Sequence, residues 1–234
     1  MFTGYSGAEF AQILVNMLDL AINPSRLNNV FEIGNTVNST LIERNKEKAV
    51  KLIYDSAPGL EELFQEGYCP RYSLEELSTI PANTLGYTYA THMNRNNLQT
   101  LNYQVKECDR YQFFFRRLRE THDILHAITG FQTDNLGEIG LEGFYIAQAM
   151  LPNVYYLMMA RMSHILLDEK IFDGQLYLET VTKGFQMGKK AKKVLGLRWE
   201  DMFWEDIKIL RNKLRIVVSE EGLEQKLAEQ DKTV

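Results

Sequence analysis

The chain has 234 residues, of which 45% are hydrophobic and 24% are charged, and its formal net charge is -5. This composition is ordinary for a globular protein, and the acidic charge argues against a nucleic-acid binder. The two cysteines, Cys69 and Cys108, form no CxxC pair, which excludes a thiolate zinc site and a disulfide framework.

The N-terminal sequence MFTGYSGAEF carries neither a basic region nor an arginine-rich leader. No uncharged apolar run reaches the roughly 18 residues that a membrane-spanning helix needs. We therefore expect no signal or transit peptide and no transmembrane helix. The expected location is the cytoplasm, or a peripheral position on the inner face of a membrane.

Helical periodicity dominates the chain, and no series of strands and turns interrupts it. The fold predicted is all-α: a single-domain multi-helix bundle over residues 1–216, followed by a polar C-terminal tail at 217–234. The first helix should bury an apolar stripe made of Phe10, Ile13, Leu14, Met17, Leu18 and Ala21. The predicted helices are 8–22, 40–56, 59–67, 73–79, 84–97, 110–129, 135–169 with a kink at Pro152, 175–195 and 199–216.

Two histidines form the most informative pattern. His122 and His126 are four residues apart in the predicted helix 110–129, so their imidazoles share one face. Asp123 follows the first, and Glu138 comes eleven residues after the second, beyond a glycine-marked turn. Two imidazoles with one or two carboxylates suit Zn²⁺, Fe²⁺ or Mn²⁺ better than Mg²⁺. From the spacing alone, Asp123 is either a direct metal ligand or a residue that orients a ligating histidine.

The flanks of this pattern suggest what such a centre would bind. Arg116, Arg117 and Arg119 precede the histidines, and one of them could pair with Asp123 or hold a phosphate or carboxylate. The stretch after Glu138 is rich in methionine and aromatic residues, which suits both a packed core and the wall of an apolar channel. The lysine cluster at residues 183–193 is typical of a solvated face, with attraction to an anionic membrane as the second interpretation.

The motif also resembles that of a known family. HDILH, then eleven residues, then Glu138 resembles the HDxxH-x11-E signature of the coenzyme Q (ubiquinone) biosynthesis protein four family. The neighbouring words RYQFFFRRLRETHD, GFQTDNLGE and TLGYTYATHM resemble the family's sequence as well. The likeness covers roughly residues 75–216.

This resemblance implies an all-α homodimer that works with other quinone-synthesis enzymes. Its ligand would be a polyprenylated quinone precursor or an isoprenoid (phospho)lipid. The implied metal ligands are His122, Asp123, His126 and Glu138, with zinc as the usual ion and magnesium, iron or manganese as alternatives. The implied reaction is oxidative decarboxylation of a prenylated hydroxybenzoate ring, a lyase activity. We assign the channel wall to Tyr89, Met93, Tyr145, Met158 and Met162.

Two other functions fit parts of the pattern. The first is a non-enzymatic scaffold that holds prenyl lipids for partner enzymes and uses the metal for structure or head-group binding. The second is an HD-type phosphohydrolase, with ligands from His92, the His122-Asp123 pair, and Asp168 or Asp173. The phosphohydrolase pattern leaves His126 and Glu138 unexplained.

Overall fold

The computed structural model describes residues 7–22, 47–48, 50–100, 108–149, 151–167 and 173–218. Their ordered secondary structure is helical, so the predicted all-α fold is confirmed. None of the helices in these ranges is both long enough and apolar enough to cross a membrane. In chain order they are α1 (Gly7–Ile22), α2 (50–56), α3 (Leu60–Gln65), α4 (Leu74–Leu77), α5 (Leu85–Arg95), α6 (Arg110–Glu120), α7 (His122–Thr129), α8 (Asn135–Gln148), α9 (Pro152–Leu167), α10 (Asp173–Lys190), a 3₁₀ helix (Trp199–Met202) and α11 (Ile207–Leu214).

One large hydrophobic core runs through most of these helices. It extends along the chain from Ile53 to Ile216 and includes the fully buried Phe113, Phe144 and Trp199. A smaller cluster lies apart from it, where α1 packs on α9. Only the first two residues of the predicted polar tail are described, so the boundary at residue 216 stays a prediction.

The face that α1 buries agrees with the predicted stripe at Ile13, Leu14, Met17 and Ala21 but not at Phe10 and Leu18. Ile13, Met17 and Leu20 pack against Ala160 of α9, whereas Phe10 is 46% exposed and Leu18 is 51% exposed. Helix α1 is apolar on more than one side, so periodicity alone does not identify the packed face. Residues 40–46 of the second predicted helix lie outside the described residues.

The helix predicted over 110–129 is divided into α6 and α7 at Thr121. The Thr121 hydroxyl donates to the carbonyl oxygen of Arg117 at 2.8 Å, and the residue has φ -98° and ψ 0°. Such a threonine bond to the preceding turn often accompanies a bend, although α10 continues unbroken through the same bonds at Thr180 and Thr182. His122 begins a helix of its own.

The predicted helix over 135–169 is broken, not kinked. Helix α8 ends at Gln148 because Ala149 is extended, with φ -151° and ψ 146°. Pro152 then opens α9, a position that its missing N–H tolerates and its fixed φ favours. Because of the break, α9 returns along α8, and Arg161 of α9 reaches Glu142 of α8.

Helices α8 and α10 touch backbone to backbone. A Cβ on Gly184 would lie 1.8 Å from the carbonyl oxygen of Gly140, and one on Gly188 would lie 2.6 Å from that of Phe144. The Gln148 amide reinforces the contact, donating to the Gly188 carbonyl and accepting from the Val194 N–H. This close approach fixes α8, which carries Glu138 in its first turn.

Gly184→Ala should therefore destabilise the protein, because its methyl group must push α8 and α10 apart. We expect a loss of roughly 1–3 kcal/mol in the free energy of unfolding, measured by urea denaturation. Gly174→Ala in the same helix is the matched control, since a Cβ there meets no atom within 4 Å. That control should be neutral or gain up to about 1 kcal/mol. Equal unfolding midpoints for the two variants would contradict the close packing.

Candidate metal centre

Helix α7 brings three titratable side chains together within its first two turns. Ligand atoms of His122, Asp123 and His126 all lie within 4.8 Å of one another. The Nε2 atoms of the two histidines are 3.1 Å apart, and the ring planes are perpendicular. The helix then ends at Gly130, whose φ of 80° is the left-handed conformation that glycine adopts readily.

Glu138 joins the group from the start of α8. The Asp134 side chain caps this helix by accepting from the Gly137 N–H at 2.8 Å. Glu138 Oε1 lies 3.2 Å from Nε2 of His126 and 3.6 Å from Nε2 of His122. The structure thus brings all four predicted ligands to one place, while metal binding itself stays a prediction.

The orientation of His126 suits metal ligation. Its Nδ1 lies 2.9 Å from the carbonyl oxygen of Phe131. A carbonyl oxygen only accepts, so Nδ1 carries a proton and the lone pair of Nε2 points into the group in the neutral ring. His122 has a comparable contact, from Nδ1 to the Tyr145 hydroxyl at 3.3 Å. Ligating histidines are commonly held in this way through their second nitrogen, and the donor set therefore fits a divalent ion.

The pKa shifts of Glu138, Asp123 and His122 also favour binding of a cation by this group. Burial opposes ionisation of Glu138, but His122 and His126 outweigh it and hold the pKa of this carboxyl well below its usual range. Burial likewise opposes ionisation of Asp123, yet the neighbouring histidines lower its pKa. For His122, burial would lower the pKa, but Glu138 raises it overall. The group therefore holds two carboxylates and attracts positive charge.

His92 is a neighbour that the metal motif did not include. It lies on α5, with Nε2 at 3.7 Å from Asp123 Oδ1, and its ring stacks on His126 at 5.4 Å. The predicted phosphohydrolase pattern used His92, but Asp168 and the side chain of Asp173 lie outside the described residues. His92 lies far upstream of the HDILH motif, and only the phosphohydrolase alternative grouped it with His122 and Asp123; the fold places it beside Asp123 and His126.

Comparison with known proteins now adds to this geometry. The sequence profile of the coenzyme Q (ubiquinone) biosynthesis protein Coq4 matches residues 10–220. The chain belongs to the Coq4 family. The resemblance predicted from the HDILH motif and its flanking words is therefore confirmed at the level of the family.

Individual relatives agree with this placement. The chain is 29% identical over 147 residues to the mitochondrial ubiquinone biosynthesis protein COQ4 of Coccidioides immitis, a match covering 62% of this chain and 50% of that protein. It is 31% identical over 150 residues to that of Paracoccidioides brasiliensis, with the same coverage. The matched region is thus about half the length of these relatives.

A solved structure shares the fold. It is the crystal structure of a protein from Nostoc punctiforme described as a ubiquinone biosynthesis protein, with a TM-score of 0.74 and 24% identity. The superposition covers 88% of this chain and 97% of the other. At this identity, the likeness supports the all-α architecture of the Coq4-family chain and nothing finer.

Two of the arginines before the motif make contacts within the fold of this Coq4-family chain. Arg117 is fully buried and forks onto Glu200, with bonds of 2.9 and 3.0 Å, while one nitrogen also reaches Glu120. Arg116 donates to the carbonyl oxygen of Tyr68 at 2.7 Å. Among the described residues, neither guanidinium lies within ion-pair distance of Asp123. A head-group role for Arg116, Arg117 or Arg119 stays a prediction.

A different arginine stands at the centre. Arg161 of α9 has Nη2 at 3.6 Å from Glu138 Oε2, and its Nε donates to Glu142 Oε1 at 2.9 Å. Sequence spacing did not identify it because the chain reverses between α8 and α9. The available signal was a lone arginine in a helix that is otherwise free of charged residues apart from the titratable His164.

The predicted channel residues fall into two groups. Tyr89, Met93 and Tyr145 are buried in the main core, and the Tyr145 hydroxyl faces His122. Met158 and Met162 of α9 are half-buried. An apolar channel therefore stays a prediction. If it exists, α9 would form the part of its wall that is closest to solvent.

Glu142 generates a prediction about pH. Burial raises its pKa to about 7, although Arg161 acts in the opposite direction. A folded-state pKa above the unfolded one means that the folded protein binds the proton more tightly. This contribution to stability is complete at low pH and is lost as pH rises through about 7.

Between about pH 5 and pH 8, metal-free protein should lose on the order of 2–3 kcal/mol through Glu142. Glu142→Gln should remove that loss, as seen in urea unfolding across this range. Exposed Glu179 provides the matched control, and Glu179→Gln should leave the pH profile unchanged. Parallel profiles for wild type and Glu142→Gln would show that the carboxyl does not titrate there.

Proposed function

We propose that this chain acts in the synthesis of a prenylated quinone such as ubiquinone. It binds a polyprenylated ring precursor at a divalent metal ion held by His122, Asp123, His126 and Glu138. The observation that carries the proposal is the convergence of His122 Nε2, His126 Nε2 and Glu138 Oε1 within 3.6 Å. Three electron-rich atoms so close together need a proton or a cation between them.

Zinc suits this mixed nitrogen and oxygen donor set best, with iron, manganese and magnesium as alternatives. When bound, the ion supplies Lewis acidity that stabilises negative charge on a carboxylate or phenolate oxygen. The His122 side chain is 36% exposed, so a ligand reaches the centre from its side. Phe131 and Tyr145 hold the two imidazoles in orientation. The half-buried Met158 and Met162 offer a surface for the isoprenoid tail.

The reaction proposed is replacement of a ring carboxyl by a hydroxyl. The bond between ring and carboxyl carbon breaks, carbon dioxide leaves, and a ring carbon–oxygen bond forms. This is a two-electron oxidation of the ring. It balances when dioxygen and water are consumed and hydrogen peroxide is released with the carbon dioxide. The chain would thus be an oxidative decarboxylase.

A second candidate is a carrier that binds the precursor without converting it and delivers it to other quinone-synthesis enzymes. The exposed apolar side chains of α1 and α9 favour this alternative, because they suit contact with a partner protein, a second copy or a membrane surface. They are Phe10, Val15, Leu18, Ile22, Tyr155 and Met159.

Substitution of the ligands tests the proposal. His122→Ala and Glu138→Gln should lower metal affinity by more than the roughly 10–100-fold that supporting residues contribute. Release of carbon dioxide from carboxyl-labelled farnesyl-hydroxybenzoate should fall with it. Native mass spectrometry reports the metal and any bound isoprenoid in the same experiment. The matched controls are His164→Ala, on a histidine that bonds the Ala21 carbonyl oxygen, and Glu179→Gln.

The outcomes separate the candidates. Turnover that survives in a metal-free variant contradicts a metal-dependent decarboxylase. Metal and isoprenoid binding without carbon dioxide release from the wild type identifies the carrier. A wild type that binds neither metal nor isoprenoid contradicts both.

A further inference from the structure

Arg161 occupies an unusual position for a charged residue. It lies in the apolar helix α9, its side chain is 17% exposed, and it faces two carboxylates of α8. Its Nε makes a normal hydrogen bond of 2.9 Å to Glu142 Oε1. This bond fixes the plane of the guanidinium, so that Nη2 faces Glu138 and Nη1 faces Asn135.

Among the described residues, those two terminal nitrogens make only long contacts. Nη1 lies 3.5 Å from Asn135 Oδ1, and Nη2 lies 3.6 Å from Glu138 Oε2. Normal N–H···O bonds are about 2.7–3.2 Å long. The Nη1 and Nη2 atoms of Arg161 are therefore held beside the proposed metal ligand Glu138 and can still donate short hydrogen bonds to another group. A planar fork of this kind matches the two oxygens of a carboxylate.

Arg117 shows what a fully engaged arginine looks like in the same protein. Both of its terminal nitrogens bond carboxylates at 2.9 to 3.0 Å, and it is almost completely buried. Such a guanidinium has no edge to offer a ligand. The difference between Arg117 and Arg161 is that the second keeps both solvent access and unfilled donors.

We propose that Arg161 binds the carboxylate of the ring precursor next to the metal centre, and so distinguishes the acid from its decarboxylated product. This inference rests on the proposed function. Ligation of a cation by Glu138 spreads that carboxylate's charge, which weakens its attraction for Arg161 and leaves the guanidinium available to a second anion. Glu142 remains the residue that holds Arg161 in place. Loss of the substrate carboxylate removes Arg161's partner and favours release of the product.

The test compares the Kd values of 3-farnesyl-4-hydroxybenzoate and of 2-farnesylphenol, an analogue that lacks only the carboxylate, on zinc-loaded protein. Wild type should prefer the acid by roughly 10–100-fold, the range of a charge-assisted pair of hydrogen bonds. Arg161→Met should abolish this preference while zinc content stays the same. Arg161→Lys should keep part of it, since lysine keeps the charge without the fork.

Two further variants make the result decisive. Arg161→Met leaves Glu142 buried without its partner, so the double variant Arg161→Met/Glu142→Gln removes the charge as well and should fold like the wild type. Arg198→Met, on an exposed arginine paired with Glu66, controls for loss of one positive charge and should keep the preference.

Each outcome bears on one claim. A preference that persists in zinc-loaded Arg161→Met or in the double variant overturns the role of Arg161. Loss of zinc from both variants also overturns it, because Arg161 would then serve only to position Glu138. A wild type that binds acid and phenol equally refutes the inference alone, whereas one that binds neither refutes the proposed function with it.

Discussion

The convergence of two imidazole nitrogens and a carboxylate oxygen is the constraint around which this region of the molecule is arranged. His122 Nε2, His126 Nε2 and Glu138 Oε1 lie 3.1 to 3.6 Å apart. Lone pairs at this separation repel unless positive charge lies between them. The surrounding contacts keep the three atoms together: Phe131 holds one ring, Tyr145 faces the other, and Arg161 approaches the carboxylate from outside. The fold therefore supplies the positioning, and the missing positive charge would come from a proton or from the ion that we propose.

Glycines in the contact between α8 and α10 help to hold the site in a fixed position. Helix α8 carries Glu138, and it lies in backbone contact with α10 through Gly140 and Gly184. Two helices that approach so closely leave no gap in which α8 could shift along its axis. At the other side of the site, Thr121 separates α7 from α6, so the histidine helix takes its own direction. The site thus lies between α8, which is fixed by its packing on α10, and α7, which does not continue the axis of α6.

Local patterns in the sequence predicted more of the site than of the packing around it. The i, i+4 spacing of His122 and His126 places both rings on one face of any helix, and the fold preserves this. Long-range partners left less trace: Arg161 matched no motif, and His92 entered only through the phosphohydrolase alternative, yet both reach the centre because α5 and α9 fold against it. The same limit explains the breaks at Thr121 and Ala149. Helical periodicity continues through both positions, so it does not reveal the interruption at Thr121 or the extended conformation of Ala149 before Pro152.

The arginines show that closeness in sequence does not identify the guanidinium beside the candidate site. Arg116 and Arg117 come shortly before the histidines in sequence, yet Glu120 and Glu200 hold them in ion pairs within the fold. Arg161 is distant in sequence, and one of its two carboxylate partners, Glu138, is a proposed metal ligand. Arg117 bonds carboxylates that lie outside the candidate site, so it is satisfied within the fold. In the role proposed for Arg161, an ion would draw charge from Glu138 and leave the guanidinium able to bind a ligand anion. Competition for Glu138, more than proximity in the chain, would then separate the two roles.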